Sequence, residues 1–360
     1  KNIDFTSGLA IDSLNNIYVT GFIETNNDMN GQLVSENKIF LSKFNTEGIQ
    51  QWIKYINTSS KNFTTAVTTD SLNNIIVIGS SGNLFLSKYN SNGIKKWETK
   101  LKTTSYDIGY GVAVDSYNNI YLTGYSKGGP NGDTDVGDEV FLAKYTPKGV
   151  EKWNKHFGTS HDERGISVKI DSSDNIYVTG YTLGSLDRNK NLGRSDYFLT
   201  KFKSNGKKQW TKQHGSSSND QGFDISIDSS NNIYITGFTQ GGIGKQNSSG
   251  LFDIFIAKYN SNGSIIWVKQ FGNSNTESGY GVSIDSFGNI YVTGHTYGGL
   301  YGNKNKGGSD VYLAKHDSNG VQQWTQQFGT SSNDFGIAVS IDSLNSIYIA
   351  GYAWGGLDGK

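Results

Sequence analysis

Carboxylates are the residues whose type and spacing most invite chemistry. From 133 to 139 the chain reads Asp133-Thr-Asp135-Val-Gly-Asp138-Glu139, four acids around one glycine. Calcium collects several carboxylate and carbonyl oxygens from a short flexible loop, and this stretch offers them. It is only partly like a helix-loop-helix calcium loop in spacing and lacks that loop's terminal bidentate Glu, so these residues read first as a solvated acidic loop and second as a metal site. A second acidic set recurs at one place along the chain: Asp4, Asp107, Glu163, Asp220, Glu277 and Asp334, with Asn62 where another acid would stand. These residues either form a carboxylate collar for cations or sugar hydroxyls, or cap the backbone of their own turns. Lys169 and Asp224 are polar exceptions at positions that are otherwise small, and they read as an ion pair or as contacts for a ligand. Tyr297, Tyr301 and Trp354 are aromatic rings beside Gly, Asn and Asp, a composition suited to stacking on sugar C–H groups.

Signs of an enzyme are thin. The five histidines (His156, His161, His214, His295, His316) are scattered, and no Gly-x-Ser-x-Gly or His-Glu-x-x-His occurs. His214 replaces the Phe found at 157, 271 and 328. Gly355-Gly-Leu-Asp-Gly-Lys360 lacks the spacing and hydroxyl of a phosphate loop. Cysteine is absent, which removes thiolate catalysis, disulfides and Cys-ligated metals.

The elements that would position these residues repeat. Asp115-Ser-Tyr-Asn-Asn-Ile-Tyr-Leu-Thr-Gly124 recurs from Asp12, Asp70, Asp171, Asp228, Asp285 and Asp342, at spacings of 58, 45, 56, 57, 57 and 57 residues. An Asp/Ser/Asn turn between β-branched and aromatic runs is a hairpin, strand A to strand B. A later strand C carries Lys at 43, 88, 144, 201, 258 and 315. A short Gly-containing turn leads into strand D, with Trp at 52, 97, 153, 210, 267 and 324. Elements present this often build the scaffold. A period of this length made of short strands predicts an array or propeller, here one domain over residues 1–360. Lys+Arg and Asp+Glu are 32 each, so no global field steers the chain to nucleic acid or an anionic membrane. No apolar run is long enough to span a bilayer.

The pattern Gly-x-x-x-x-Asp-Ser-x-Asn-Asn-Ile-Tyr-Val-Thr-Gly-Tyr, then Asp-x-Phe-Leu-Ala-Lys-Tyr, then Gly-x-x-x-Trp-x-x-x-Phe-Gly resembles the bacterial seven-bladed β-propeller repeat (SBBP) family, and more loosely the NHL-type propeller repeats. The resemblance runs along essentially the whole chain. It implies a propeller, often an extracellular or cell-surface bacterial protein, and no particular reaction.

The expected fold is all-β: a seven-bladed propeller of four-stranded antiparallel blades. Seven A–B pairs but six C–D pairs are present, so the last blade is incomplete within this chain. The expectation is that a C–D pair from upstream, downstream or another chain closes it, since an open edge strand invites association. The long B–C loops and the D–A links share one face, the default place for function. Ser80-Ser-Gly-Asn83 shortens that loop in the second blade, which leaves a site there most open. The expected role is a non-enzymatic recognition or adhesion module for a glycan or surface protein. Tyr297, Tyr301, Trp354, Lys169 and Asp224 are its candidate ligand contacts, with Ca2+ at Asp133, Asp135, Asp138 and Glu139 as the candidate ion. The alternatives are a hydrolase or lyase using acids at the channel mouth, and a structural subunit that takes strands from a neighbour at the open blade.

Overall fold

The computed structural model describes residues 3–29, 32–56, 62–81, 83–101, 107–127, 137–244 and 246–356. Each A–B hairpin is made by the Asp motif. In the first repeat the Asp12 N–H donates to the Asn16 carbonyl, and the Asn15 N–H donates to the Asp12 carbonyl, both at 3.0 Å. Asn15 turns the corner at φ 61°, a left-handed conformation that Asn tolerates. The Asp12 carboxylate accepts the Leu14 and Asn16 backbone N–H groups and the Asn16 side-chain amide. Asn73, Asn118, Asp174, Asn231 and Asn345 repeat the positive φ, and Gly288 supplies it in the sixth repeat. The motif Asp is therefore a turn residue in every repeat.

Six sheets have four antiparallel strands in the order A-B-C-D, and a seventh has two strands, Asp334–Ile341 and Ile347–Ala353. In the fourth sheet the strands are Glu163–Ile170, Ile176–Thr182, Asp196–Phe202 and Lys208–His214. Strand A carries a bulge between Gly165 and Ser167. Opposite it, a Cβ on Gly180 would run into the Arg164 carbonyl oxygen, so that position admits only glycine. From the third sheet on, the acid preceding the bulge is the first residue of strand A rather than part of the D–A link, as in the pairs Glu163 with Thr182 and Asp220 with Thr239; in the first sheet Asp4 follows Ile3.

The sheets stand around one axis, strand A innermost, with the two-stranded sheet between the sixth sheet and the first. A belt of side-chain bonds joins neighbouring A–B turns: Ser13 to Asn73, Ser71 to Asn118, Ser116 to Asp174, Ser172 to Asn231 and Ser286 to Asn345. Ser343 donates to Asn15 at 3.0 Å and carries the belt from the last repeat back to the first. The core lies between sheets. Tyr121, Val140 and Leu142 of the third pack on Val178 and Phe198 of the fourth. Large faces small near the axis, as strand A patterning requires. A Cβ on Gly111 would lie 3.0 Å from the Ile166 carbonyl of the next sheet.

One connection differs from expectation. The B–C segment of the first repeat is not a loop: strands Ile17–Met29 and Gln32–Phe44 stay paired as far as Met29 and Gln32. The sequence cue is Asn30-Gly31, the favoured two-residue hairpin pair, between runs that can extend.

Candidate functional site

Strand A begins at the B–C loop face and ends at the A–B turn face. Its first residues and the residue after the strand B glycine meet at the loop-side mouth of the axis. There the rings form a continuous relay of contacts. Phe22 stacks on Phe5 at 4.8 Å, Phe5 meets Tyr352 at 5.0 Å, and Tyr352 stacks on Phe335 at 5.0 Å. Phe335 meets His295 at 4.8 Å, His295 stacks on Tyr280 at 5.4 Å, Tyr280 meets Phe223 at 5.3 Å and Phe223 meets Phe238 at 5.6 Å. Across the mouth Tyr110 stacks on Tyr125, and the Arg164 guanidinium lies 4.4 Å over the Tyr125 ring. All but His295 are half-buried, so the collar shows ring edges and faces to solvent. Below it lies an axial cavity of about 300 Å³ whose walls include Ser7, Thr65, Tyr110, Lys169, Asp224 and Tyr280.

His295 is the buried member. Surrounded by Tyr280, Tyr297 and Phe335, its imidazole is pushed by burial down to about 4 and stays neutral. Arg164 also reaches the Asp138 carboxylate at 3.3 Å. Burial, with Asp162 close by, still holds Asp138 above the usual carboxylate range.

The acids that start strand A act in their own turns. Glu163 accepts the Thr159 backbone N–H and the Thr182 hydroxyl, the latter at 2.7 Å; Glu277 accepts the Asn273 N–H at 2.9 Å and the Thr296 hydroxyl at 3.0 Å. Asp220 and Asp334 accept the Ser216 and Thr330 N–H groups, each at 2.6 Å. These four are fully buried. Glu163 faces Glu139 across Gly158, and sequence reasoning missed the corresponding partners of the other three, the acids that open strand C. Asp196 and Asp220 flank Gly215, Asp253 and Glu277 flank Gly272, and Asp310 and Asp334 flank Gly329. Gln213, Gln270 and Gln327 of strand D donate to those strand C acids. Burial, with Asp253 nearby, pushes Glu277 up to about 7. The Asp of the repeated Asp-x-Phe-Leu-Ala-Lys-Tyr was the available signal.

The sequence-derived candidates fall in three separate places. Lys169 pairs with Tyr177, one step from the A–B turn, so it sits at the far end of the axis from the collar. Asp224 lies farther up and accepts the Ser167 hydroxyl at 2.9 Å and the Val282 N–H at 3.0 Å; no ion pair joins it to Lys169. Tyr297 and Trp354 occupy matching loop positions, each anchored through its N–H to the preceding D–A link, at Thr276 and Asn333. They are 43 % and 55 % exposed. Tyr301 sits in the loop's 3-10 turn at φ 49° with its ring against Phe271, away from those two. Asp133 and Asp135 lie outside the described residues. Asp138 is engaged by Arg164 and Glu139 opens a strand. Among the described residues no group of three or more His, Asp and Glu is arranged to hold a metal. The opposite face carries an unanticipated crown of exposed apolar turn residues: Leu14, Leu72, Tyr117, Phe287 and Leu344.

The beta-propeller repeat SBBP matches residues 1–27, 99–130, 209–244, 266–302 and 323–358. These five regions match the family that the sequence resembles. Among curated proteins, an uncharacterized WD repeat-containing protein of Acanthamoeba polyphaga mimivirus is 28 % identical over 179 residues, 41 % of this chain and 13 % of that protein. The regulatory protein FlaEY of Caulobacter vibrioides is 27 % identical over 157 residues, 39 % of this chain and 16 % of that protein. The chain thus matches only a small part of each relative's length. Among solved structures, the Neurospora crassa Pan2 WD40 domain superposes with a TM-score of 0.57 at 11 % identity, over 98 % of this chain and 90 % of that one, a likeness of fold alone.

Proposed function

We propose that this propeller is a non-enzymatic recognition module, displayed outside the cell, that grips a polypeptide partner at the loop-side mouth. The observation that carries this reading is the half-buried relay of rings from Phe22 to Phe238, faced across the mouth by Arg164 on Tyr125. Aromatic residues and Arg dominate the energetic centres of protein interfaces because they bury large area at small entropic cost. A propeller with a WD-repeat relative supports the same choice by analogy of scaffold. The buried carboxylate pairs argue against the hydrolase or lyase reading, since Asp196, Asp220, Asp253 and Glu277 are sealed from any substrate. The test is selection of a phage-displayed random peptide library on the wild-type protein and on Phe335→Ala and Arg164→Ala variants. Peptides enriched on the wild type and lost on both variants support the reading; identical enrichment on all three removes it.

A second reading, a glycan on the loop rim, is favoured by Tyr297 and Trp354, exposed at equivalent positions of consecutive repeats. Glycan-array signals unchanged in Tyr297→Ala and Trp354→Ala proteins would dismiss it.

A further inference from the structure

The outer strands of neighbouring sheets are locked together by one recurring device. The strand D Trp of each of the first five sheets lies under the C–D turn glycine of the next: Trp52 under Gly93, Trp97 under Gly149, Trp153 under Gly206, Trp210 under Gly263 and Trp267 under Gly320. A Cβ on any of these glycines would come within 3.1 Å of the indole. The strand C Lys lies over the strand B Tyr of its own sheet, as at Lys144 on Tyr121 and Lys258 on Tyr234. It reaches the motif Asp, at 3.5 Å for Lys144 and Asp115 and, where Ile76 replaces the Tyr, at 2.7 Å for Lys88 and Asp70. It also donates to a turn carbonyl of the next sheet: Lys88 to Pro147, Lys144 to Ser204, Lys201 to Ser261 and Lys258 to Ser318.

Both halves of this lock stand open at the two-stranded sheet. Among the described residues no glycine covers Trp324, and a Cβ on Gly48 of the first sheet would meet nothing within 4 Å. Among the described residues no lysine lies over Tyr348, at the place of Tyr121; its hydroxyl is 3.1 Å from the Asp342 carboxylate, as Tyr121 is bonded to Asp115, and also 3.4 Å from the Thr46 carbonyl of the first sheet. The Thr46 carbonyl is the counterpart of those of Pro147, Ser204, Ser261 and Ser318, which a strand C lysine takes in the closed copies. Among the described residues strand Ile347–Ala353 pairs with Asp334–Ile341 alone, and it is half-buried along most of its length, where the equivalent Ile290–Thr296 is buried throughout. Phe328 is 36 % exposed, whereas Phe157 and Phe271 pack on strand C residues of the next sheet, Phe198 and His316. A mostly apolar groove of about 310 Å³ runs here, walled by Val19, Val311, Phe328, Phe335, Ile349 and Tyr352.

We propose that this groove is a docking site for one occupant, a β-hairpin with the chemistry of an SBBP C–D pair. Its first strand is apolar on both faces and pairs with Ile347–Ala353. Its lysine takes Asp342 and the Thr46 carbonyl, its turn glycine sits on Trp324, and its Trp covers Gly48. A hairpin with Lys, then Gly five residues on, then Trp four residues after that (258, 263 and 267 in the fifth sheet) meets all of these contacts at once. Main-chain pairing alone would accept any strand; the lysine, glycine and Trp supply the selectivity. Docking here is independent of what the loop face binds.

The test is fluorescence titration of the whole protein with a labelled peptide of residues 253–271. The expected result is saturable one-to-one binding, weakened about tenfold or more when the peptide carries Lys258→Glu or Trp267→Ala. Gly48→Asn in the protein should weaken binding to a similar extent. Asn tolerates the φ of 75° there, and the turn is exposed, so thermal melting should be unchanged. No saturable binding would overturn the proposal, as would equal affinity for all peptides. So would sedimentation showing a dimer that the peptide fails to dissociate, because a second copy would then own the groove.

Discussion

Replacing His295 with Phe should remove a defined share of the protein's sensitivity to acid. The substitution suits the site: Phe22 and Phe238 hold the same place, after the strand B glycine, in the first and fifth repeats. Among rings alone, the folded-state imidazole is held at about 4 against an ordinary 6.5. A base depressed in the folded state leaves stability intact above 6.5 and erodes it as pH falls toward 4, because the unfolded chain takes up the proton first. Between pH 7.5 and pH 5 that difference amounts to about 2 kcal/mol. Urea unfolding at the two pH values, on wild type and His295→Phe, measures it as the difference of differences. The account expects the wild type to lose about 2 kcal/mol more than the variant, with m-values matching. Parallel losses would refute it, as would an NMR titration placing His295 near 6.5.

Glu277 should act with the opposite sign. Its folded value of about 7, against 4.5 when free, means that stability present at low pH is lost as pH rises through that window, by up to about 3 kcal/mol at pH 7.5. Glu277→Gln should therefore flatten the alkaline side of the stability profile in calorimetry, and a variant less stable than wild type at pH 8 would count against the buried-carboxylate picture. Gly180→Ala should destabilise by at least about 3 kcal/mol, because its Cβ would enter the Arg164 carbonyl oxygen opposite the strand A bulge; a loss under 1 kcal/mol in chemical unfolding would contradict that geometry. Trp153→Ala should cost about 3 kcal/mol, since the indole both meets Tyr121 and underlies Gly206, whereas Trp324→Ala, with no turn above it, should cost visibly less.

The scaffold was legible because its determinants are local and repeated. Asp-Ser-x-Asn-Asn makes its own turn, Gly-x-x-x-Trp marks the next hairpin, and alternation of large and small residues on strand A announces close-packed neighbours. The collar was less legible. Tyr125 and Phe238 follow the strand B glycine in plain view, yet nothing local says that such residues converge with Phe335 and Tyr280 from different strands at one mouth. Asp138 shows the same limit from the other side. Read alone it belongs to an acidic loop, but folding brings Arg164 to it from 26 residues away. Lys169 and Asp224 looked like partners because both break the small-residue rule, but a two-residue offset along strand A separates them, and the Ser167 hydroxyl takes Asp224 instead. The open lock at Trp324 became readable only once five closed copies could be set beside it.

The most direct test of loop-face recognition is photo-crosslinking with benzoylphenylalanine at position 335, in the collar, or at position 117, in the apolar crown of the opposite face. The probe is a peptide selected from the random library on the wild-type protein. The account predicts crosslinks from 335 and none from 117. Crosslinks from 117 alone would place recognition on the A–B turn face and contradict it.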